Sequence, residues 1–331
     1  MKSPVRPVTA LSLVLASSLV IAGCSADPKE SDDSAAAAGG ATIDVEDNNG
    51  TQTVNSPPAS VVALDNRTFE TLSDWDVELS AAAVSLMPDT IGYTQDDSII
   101  DIGTHNEPDL EAIVAAEPDL VVNGQRFTQH AESIASLVPD ATILDLDPRE
   151  GEPFDTELKR QTTVLGEVFD KQDEAAQLVD DLDSAVERVK EAYDDGDTVM
   201  AVTTSGGEIG YLAPGVGRTL GPVFDLLELT PALEVDGASD DHQGDDISVE
   251  AIADSDPDWI LVMDRDAAVA ADEAGYETAE NILSSSEALS GVSAVKDEQI
   301  VFMPADTYTN EGIQTYTEFL NAFADALEAR A

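Results

Sequence analysis

The stretch from 156 to 193 places apolar residues at helical spacing without a proline, and segments with alternating strand and helix patterns flank it on both sides. The spacing predicts one helix that ends near Asp170 and a second helix from about Gln172 to Tyr193. At 1.5 Å per residue, the second helix is about 30 Å long, enough to cross a small domain. Two interpretations fit this pair: ordinary surface helices, or a rigid connector between two lobes.

The flanking regions alternate short β-branched runs with helical segments. Before the connector, strands are predicted at 61–64, 99–102, 119–122 and 142–146, and helices at 68–75, 107–113 and 128–137. After it, strands are predicted at 198–203, 259–263 and 299–303, and helices at 217–229, 248–254, 279–283 and 311–329. Such βα alternation favours parallel sheets covered by helices.

Roughly 290 residues follow the N-terminal leader, too many for one comfortable core and suitable for two lobes. Ordered sequence is expected from Ala41, with a short opening hairpin around Asn48-Asn49-Gly50. The predicted fold is α/β, with two αβ lobes that contain parallel-type sheets and are joined by one long backbone helix. The predicted organisation is an N-terminal lobe, a connecting helix and a C-terminal lobe, at 41–170, 171–195 and 196–331.

The N-terminus has the layout of a secretory signal, with Lys2 and Arg6 before an apolar stretch. Cys24, the only cysteine, follows directly, and the small-residue turn before it resembles a bacterial lipobox. We therefore expect a signal peptide at 1–23, lipidation of Cys24 and a disordered acidic tether at 24–40. An ordinary signal peptide with an unmodified cysteine is the alternative. A membrane-spanning anchor requires about 20 apolar residues, more than this stretch has.

The chain carries a formal net charge of −53. Such a surface repels nucleic acid and anionic lipid headgroups, so we expect neither as a partner. Because hydrophobic residues still make up 42% of the chain, the charge does not indicate disorder. It indicates a halotolerant protein that stays soluble in high salt, where screening shortens the reach of self-repulsion.

Several short motifs recur in a specific order from about Val54 to the C-terminus. They are VVALD at 61–65, EPDLEAI at 107–113, PDLVV at 118–122, SVEAI at 248–252 and PDWILVMDR at 257–265. Together they resemble the substrate-binding lipoproteins of iron–siderophore ABC importers, in the class III periplasmic binding proteins whose lobes share one backbone helix. The similarity is greatest to the branch that takes up catecholate siderophores.

This resemblance implies capture rather than catalysis. A ferric siderophore, of the catecholate type, would bind in a cleft between the lobes of a monomeric, lipid-anchored protein on the outer face of the cytoplasmic membrane. The loaded protein would then dock on the dimeric permease of an ABC transporter, and no permanent cofactor is expected. Consistent with this, we find no phosphate-binding loop with lysine and no nucleophile beside a histidine–carboxylate pair.

Four arginines stand just beyond a predicted strand or at the start of a predicted helix: Arg67, Arg126, Arg218 and Arg265. Ligands of α/β sheets bind outside the carboxyl ends of strands, so these side chains are expected at the mouth of a cleft. Guanidinium suits an anionic aromatic complex, because it donates several hydrogen bonds and stacks on rings. Surface salt bridges to the abundant carboxylates are the alternative. By resemblance, Arg126, Arg218 and Arg265 correspond to the family's ligand-gripping arginines, and Arg67 to a less widespread position.

Imidazole and phenolate are both competent ligands of ferric iron. His242, in a polar loop, and Tyr308, before the terminal helix, correspond to a pair that completes iron coordination in some catecholate-branch proteins when the siderophore brings only two catechols. Their alternative role is to line the cleft without touching metal. Around Tyr308, the residues Thr307 and Asn310-Glu311 replace the family's usual small residues and glycine. His105 ends a predicted strand and is a further candidate for the cleft mouth.

Two alternatives to this function remain open, one with a different ligand and one with a different class of function. The same fold could carry a hydroxamate siderophore, haem or cobalamin. A direct zinc or manganese receptor, or an extracellular metal-dependent enzyme, fits less well, because a bare divalent ion wants several clustered histidine and carboxylate ligands and the chain has three histidines.

Overall fold

The computed structural model describes residues 41–330. They fold around two sheets, each of which has its own hydrophobic core. The strands are β1 (Ala41–Asp47), β2 (Gly50–Ser56), β3 (Val61–Ala63), β4 (Ala81–Ala82), β5 (Ile100–Asp101), β6 (Leu120–Asn123), β7 (Thr142–Asp145), β8 (Val199–Ser205), β9 (Glu208–Tyr211), β10 (Trp259–Asp264) and β11 (Ile300–Phe302). The helices are α1 (Phe69–Asp74), α2 (Leu110–Ala115), α3 (Ala131–Leu137), α4 (Phe154–Phe169), α5 (Gln172–Ala192), α6 (Gly221–Leu227), α7 (Val249–Ser255), α8 (Arg265–Val269), α9 (Ala279–Ser285), α10 (Ser293–Lys296) and α11 (Ile313–Arg330).

The predicted opening hairpin is present, since β1 and β2 pair antiparallel across the turn at Asn48-Asn49. Gly50 has a φ of 109°, a conformation that favours glycine. The Asn48 side chain donates to the Asp145 carboxylate at 3.0 Å and to the Asp147 carbonyl at 2.9 Å. These bonds attach the hairpin to the edge of the first sheet.

The first sheet has the strand order β5-β4-β3-β6-β7, and all its pairs are parallel. Its central strands β3 and β6 are buried along their whole length, as the unbroken apolar runs predict. The strand β4 is two alanines long and was not predicted, because so short an apolar segment has no periodicity.

The second sheet has the order β11-β10-β8-β9, in which β9 runs antiparallel to β8 and the other pairs are parallel. Strand β8 extends to Ser205, two residues beyond the strand predicted at 198–203. Gly206 and Gly207 then turn the chain into β9 with φ values of 62° and 83°. The glycine pair thus forms a two-residue hairpin turn.

Helix α5 spans 21 residues and packs against both cores. Ala175 lies in the core of the first sheet, whereas Leu182 and Val189 lie in that of the second. Helix α11 lies alongside it, and Arg188 donates to the Asn321 side chain at 2.7 Å. These contacts are the ones expected of a helix that connects two lobes. The lobe boundaries at 170 and 195 stay a prediction.

Helix α6 begins at Gly221, four residues later than the sequence predicts. Thr219 has a left-handed φ of 68°, so the chain cannot enter a right-handed helix before it. Arg218 therefore precedes the helix, and the expectation that it sits at a helix N-terminus is wrong. Within residues 41–330, no helix is both long and apolar enough to cross a bilayer. The predicted signal peptide, the tether and Cys24 lie outside the described residues.

Candidate functional site

Three of the four predicted arginines follow parallel strands, on the side where those strands end. Arg67 comes four residues after β3, and Arg126 lies in a short 3-10 helix directly after β6. Arg265 is the first residue of α8, which follows β10 without a gap. Arg218 lies between the antiparallel strand β9 and α6. The topology thus delivers Arg67, Arg126 and Arg265 to the edge at which α/β folds bind ligands.

Three of these arginines converge on one ring. The guanidinium carbon atoms of Arg126, Arg218 and Arg265 each lie 4.8 Å from the ring centroid of Tyr308, a cation–π distance. The tyrosine lies in a 3-10 turn before α11 and is 6% exposed. Predicted site residues that are up to 182 positions apart in the chain therefore meet in one cluster.

The surroundings of Tyr308 favour its phenolate form. Burial alone would raise the pKa of its hydroxyl, but the charge of Arg126 and the hydrogen bonding of Arg265 lower that pKa below its usual range, with Arg218 acting in the same direction. A phenolate is the form of tyrosine that coordinates a hard metal cation or accepts strong hydrogen bonds. The three cations thus make deprotonation of this hydroxyl easier than it is for an ordinary tyrosine.

Close backbone packing sets the position of Arg126. A Cβ at Gly124 would lie 2.5 Å from the buried Asp65 carboxylate, so this approach requires glycine. The Asp65 carboxylate in turn accepts from the Arg67 backbone N–H at 2.9 Å and from the Gln161 side chain at 2.9 Å. Arg126 Nη2 donates to the Tyr308 carbonyl at 3.1 Å, which links the two strand ends through the backbone of the tyrosine.

Three of the four arginines also have a carboxylate partner. The ion pairs and their N–O distances are Arg67–Asp147 at 3.1 Å, Arg218–Glu311 at 2.9 Å and Arg265–Asp266 at 3.2 Å. Within residues 41–330, Arg126 makes no ion pair within 4.0 Å, and its guanidinium contacts the ring and the carbonyl of Tyr308. The alternative reading of these arginines, as salt-bridge residues, therefore holds in part: they pair with carboxylates inside the cluster rather than on an open surface.

Glu311 is a site residue that the sequence did not single out as one. It is 3% exposed, and its carboxylate accepts from Arg218 at 2.9 and 3.3 Å and from the Thr219 hydroxyl at 2.6 Å. The Gln125 side chain, from the other sheet, also donates to it. Burial would raise the pKa of Glu311, but the charges of Arg218 and Arg67 lower it below its usual range.

A cavity of about 530 Å³ opens beside this cluster. It is lined from the first half of the chain by Arg67, Gln125, Arg126, Asp147, Pro148 and Phe154, and from the second half by Val216, Gly217, Arg218, Thr219, Pro222, Asp240, Glu311 and Tyr316. A larger cavity of about 710 Å³ has mostly carboxylates and small residues in its wall and no arginine. An anionic ligand would avoid that wall, so the smaller cavity is the candidate site.

The histidines lie at the margin of this site. His242, like Arg265 and Tyr308, does not line the 530 Å³ cavity, and 47% of the His242 side chain is exposed. The next residue, Gln243, donates to the Ser205 hydroxyl at 3.3 Å, and Arg265 donates to the same oxygen at 3.2 Å. The loop of His242 therefore adjoins Arg265, while a role of His242 at iron stays a prediction.

His105 is partly buried near Arg126. Burial lowers the pKa of its imidazole, and the positive charge of Arg126 lowers it further. The carbonyl of His105 pairs with the His130 ring at 2.8 Å, so the backbone here is fixed by the segment that carries Arg126. Among the described residues, no three histidine, cysteine or carboxylate side chains are grouped to hold a metal ion. The site as built suits an anionic complex better than a bare cation.

Comparison with known proteins gives a consistent result. A family model described as periplasmic binding protein matches residues 61–307. The petrobactin-binding protein YclQ of Bacillus subtilis is 23% identical over 287 residues, which cover 85% of this chain and 86% of that protein. The ferric-anguibactin-binding protein FatB of Vibrio anguillarum is 26% identical over 302 residues, 90% of each chain.

Among solved structures, the catecholate-siderophore binding protein VctP of Vibrio cholerae superposes with a TM-score of 0.73 at 21% identity. The match covers 87% of this chain and 100% of that one. A likeness at this identity demonstrates a shared fold, and the predicted fold is thereby confirmed.

Proposed function

Because the chain belongs to the periplasmic binding protein family, we propose that it captures a ferric siderophore and delivers it to the permease of an ABC transporter. Relatives named for petrobactin and for ferric anguibactin align over most of this chain and support this proposal. A structural neighbour named for catecholate siderophores supports the catecholate class. The protein acts by binding, and no chemical step is required of it.

The observation that carries the proposal is the cluster of Arg126, Arg218 and Arg265 around Tyr308. A ferric catecholate is anionic, and its oxygen atoms accept hydrogen bonds while its rings offer flat faces. Guanidinium groups match both properties. Three buried Nε–H groups, those of Arg67, Arg126 and Arg265, have no partner among the described atoms and are available to such a ligand.

Tyr308 and His242 have a second role in this proposal, which is to complete the iron shell of a siderophore that leaves coordination sites open. The lowered pKa of Tyr308 supports its half of the pair. His242 would reach the iron only if its exposed loop turned toward Arg265. At the margin of the cleft, Arg67 contributes charge and hydrogen bonds, and His105 contributes hydrogen bonds.

Delivery follows from the family and from the predicted leader. We propose that the lipid on Cys24 holds the protein at the outer face of the cytoplasmic membrane, and that the folded part acts there as a monomer. Carboxylates on its exposed surface would pair with basic residues of the permease dimer. The long helix α5 contacts both cores, so it permits only small movements when ligand binds.

Quenching of intrinsic fluorescence tests this function, because Trp75 and Trp259 are buried in the cores of the two sheets. Ferric catecholates should bind at submicromolar concentration, and ferric hydroxamates, haem and cobalamin should bind weakly or not at all. Arg126→Ala should weaken catecholate binding, while Arg188→Ala, which removes an arginine on the far helix pair, should not. Tight binding of haem or cobalamin, or of free Zn²⁺ or Mn²⁺ in calorimetry, would contradict the proposal.

A further inference from the structure

The arginine cluster carries much less charge than its four guanidinium groups suggest. Three of them are paired with Asp147, Glu311 and Asp266, as described above. Asp240 also lines the cavity, and the buried Asp65 accepts from the backbone of Arg67, so five carboxylates stand beside the four cations. A ligand that enters this cleft therefore meets a nearly neutral site, not a strongly basic one.

The carboxylates are held in place and cannot swing away when a ligand arrives. Asp147 also accepts from the Gln125 backbone N–H at 2.6 Å and from the Thr128 hydroxyl at 2.8 Å. Asp266 also accepts from the Gly206 backbone N–H at 2.5 Å. These bonds tie each carboxylate to the local backbone, so both remain beside their arginines.

Glu311 is the most firmly held of the three. Its side chain is 5% exposed, and its partners come from both halves of the chain, Gln125 on one side and Arg218 with Thr219 on the other. A Cβ at the next residue, Gly312, would lie 2.8 Å from the Arg67 carbonyl, so the backbone that carries Glu311 is pressed against the first half of the chain. The carboxylate is thus a fixed anion inside the cleft.

We propose that Glu311 determines ligand specificity by limiting the negative charge of the complex that the cleft accepts. The inference rests on the proposed function and narrows its ligand class. Three catecholate dianions around one ferric ion give a trianion, whereas two give a monoanion. A nearly neutral cluster leaves about one unit of ligand charge uncompensated for the monoanion and about three for the trianion.

The test compares two probes, the ferric complexes of a synthetic hexadentate tris-catechol and of a synthetic tetradentate bis-catechol, by fluorescence quenching. The wild-type protein should bind the monoanion at least about tenfold more tightly than the trianion. Glu311→Gln removes the fixed charge and keeps the side-chain shape. Coulomb energy scales with ligand charge, so the free energy gained by the trianion is three times that gained by the monoanion. An increase in affinity of about twofold for the monoanion therefore corresponds to an increase of about eightfold for the trianion.

Glu70→Gln is the matched control. Glu70 accepts from Asn310, next to Glu311, at 2.8 Å, and makes no ion pair among the described residues. The substitution removes the same unit of charge from a neighbouring position that contacts no arginine. The ratio of the affinities for the monoanionic and the trianionic probe should therefore stay constant.

The outcomes separate the inference from the proposed function. If Glu311→Gln changes both affinities equally, or if Glu70→Gln shifts their ratio as much, the inference is wrong although the siderophore function stands. If circular dichroism shows that Glu311→Gln does not fold, the test is the preference of the wild-type protein between the two probes. Tighter binding of the trianion by the wild-type protein would overturn the inference. If the folded wild-type protein binds neither probe, the proposed function falls first, and the inference falls with it.

Discussion

The Arg218 guanidinium and the Glu311 carboxylate form an ion pair at 2.9 Å in which the carboxylate is almost fully buried and the guanidinium is 23% exposed. Removing one member of such a pair leaves a buried charge without compensation, which costs more than the pair itself contributes. Arg126, by contrast, makes no ion pair among the described residues, and its guanidinium lies over the Tyr308 ring and donates to the Tyr308 carbonyl. The arginines around Tyr308 are therefore not equivalent.

Arg126→Ala and Arg218→Ala should differ in their effect on stability. Each should weaken ferric-catecholate binding by about 1.5–3 kcal/mol, the range for charge-assisted hydrogen bonds. Arg218→Ala should in addition lower the free energy of unfolding by about 3 kcal/mol, because Glu311 stays buried and unpaired. Quenching titrations and urea denaturation measure the two quantities. In the double variant Arg218→Ala/Glu311→Gln, most of the lost stability should return, and equal stability of all these proteins would contradict this account.

The sequence predicted the arginine cluster well because its cause is topological. Parallel strands end at one edge of a sheet. The positions of residues that follow strands, such as Arg126 and Arg265, can therefore be predicted without knowing which residues they contact. The long helix α5 was equally predictable, since 21 residues of unbroken helical spacing allow few other structures.

The sequence did not predict which carboxylate pairs with which arginine. Arg218 and Glu311 are 93 positions apart, and among so many acidic residues no local pattern distinguishes the one that is buried. The start of α6 was predicted too early for a different reason. It depends on a left-handed backbone conformation at Thr219, which threonine does not favour by residue type.

Asp65 should make stability depend on pH in an unusual direction. Burial raises the pKa of its carboxyl to about 6, against opposing contributions from Arg67 and Gln161. Between about pH 4 and pH 6 the folded protein keeps this proton while the unfolded chain has lost it, so this residue lowers stability as pH rises, by about 3 kcal/mol in total. Denaturation at a series of pH values should therefore give a difference between wild type and Asp65→Asn that changes across this window and levels off above pH 6.

Asp180→Asn is the matched control, because it removes the same charge from the exposed face of α5. A change between pH 4 and pH 6 that Asp65→Asn shows and Asp180→Asn does not is attributable to the buried carboxyl. If the difference for Asp65→Asn were flat across this window, the buried carboxyl would have to be ionised throughout it.

The net charge of −53 should make stability depend on salt. Self-repulsion between carboxylates is weakened when the screening length falls to about 3 Å in molar salt. The melting temperature should rise by about 5 °C or more between low salt and molar potassium chloride, which corresponds to about 2 kcal/mol for a chain of this size. Equal melting temperatures in the two buffers would refute salt adaptation.

Cys24→Ala should prevent acylation if the lipobox assignment is correct. In a bacterial host, the wild-type protein should fractionate with the membrane and take up labelled fatty acid, whereas the variant should be shed or retained as precursor. Ser25→Ala, which keeps the cysteine, is the control and should fractionate like wild type. Normal membrane anchoring of the Cys24 variant would rule out a lipid anchor at this residue.

The effect of His242 and Tyr308 should depend on how many donors the siderophore brings. A hexadentate tris-catechol fills the coordination shell of ferric iron, so His242→Ala and Tyr308→Phe should cost it little affinity. A tetradentate bis-catechol leaves two sites open, and the same substitutions should weaken its binding by about tenfold or more, as lost metal ligands do. Tyr308→Phe should also abolish the tyrosinate-to-iron contribution to the visible spectrum of the bound complex. Because Tyr308 lies within the arginine cluster while His242 is half exposed, the tyrosine variant should have the larger effect. Equal losses for both siderophore types would mean that the two side chains act through hydrogen bonds or packing and do not bind iron.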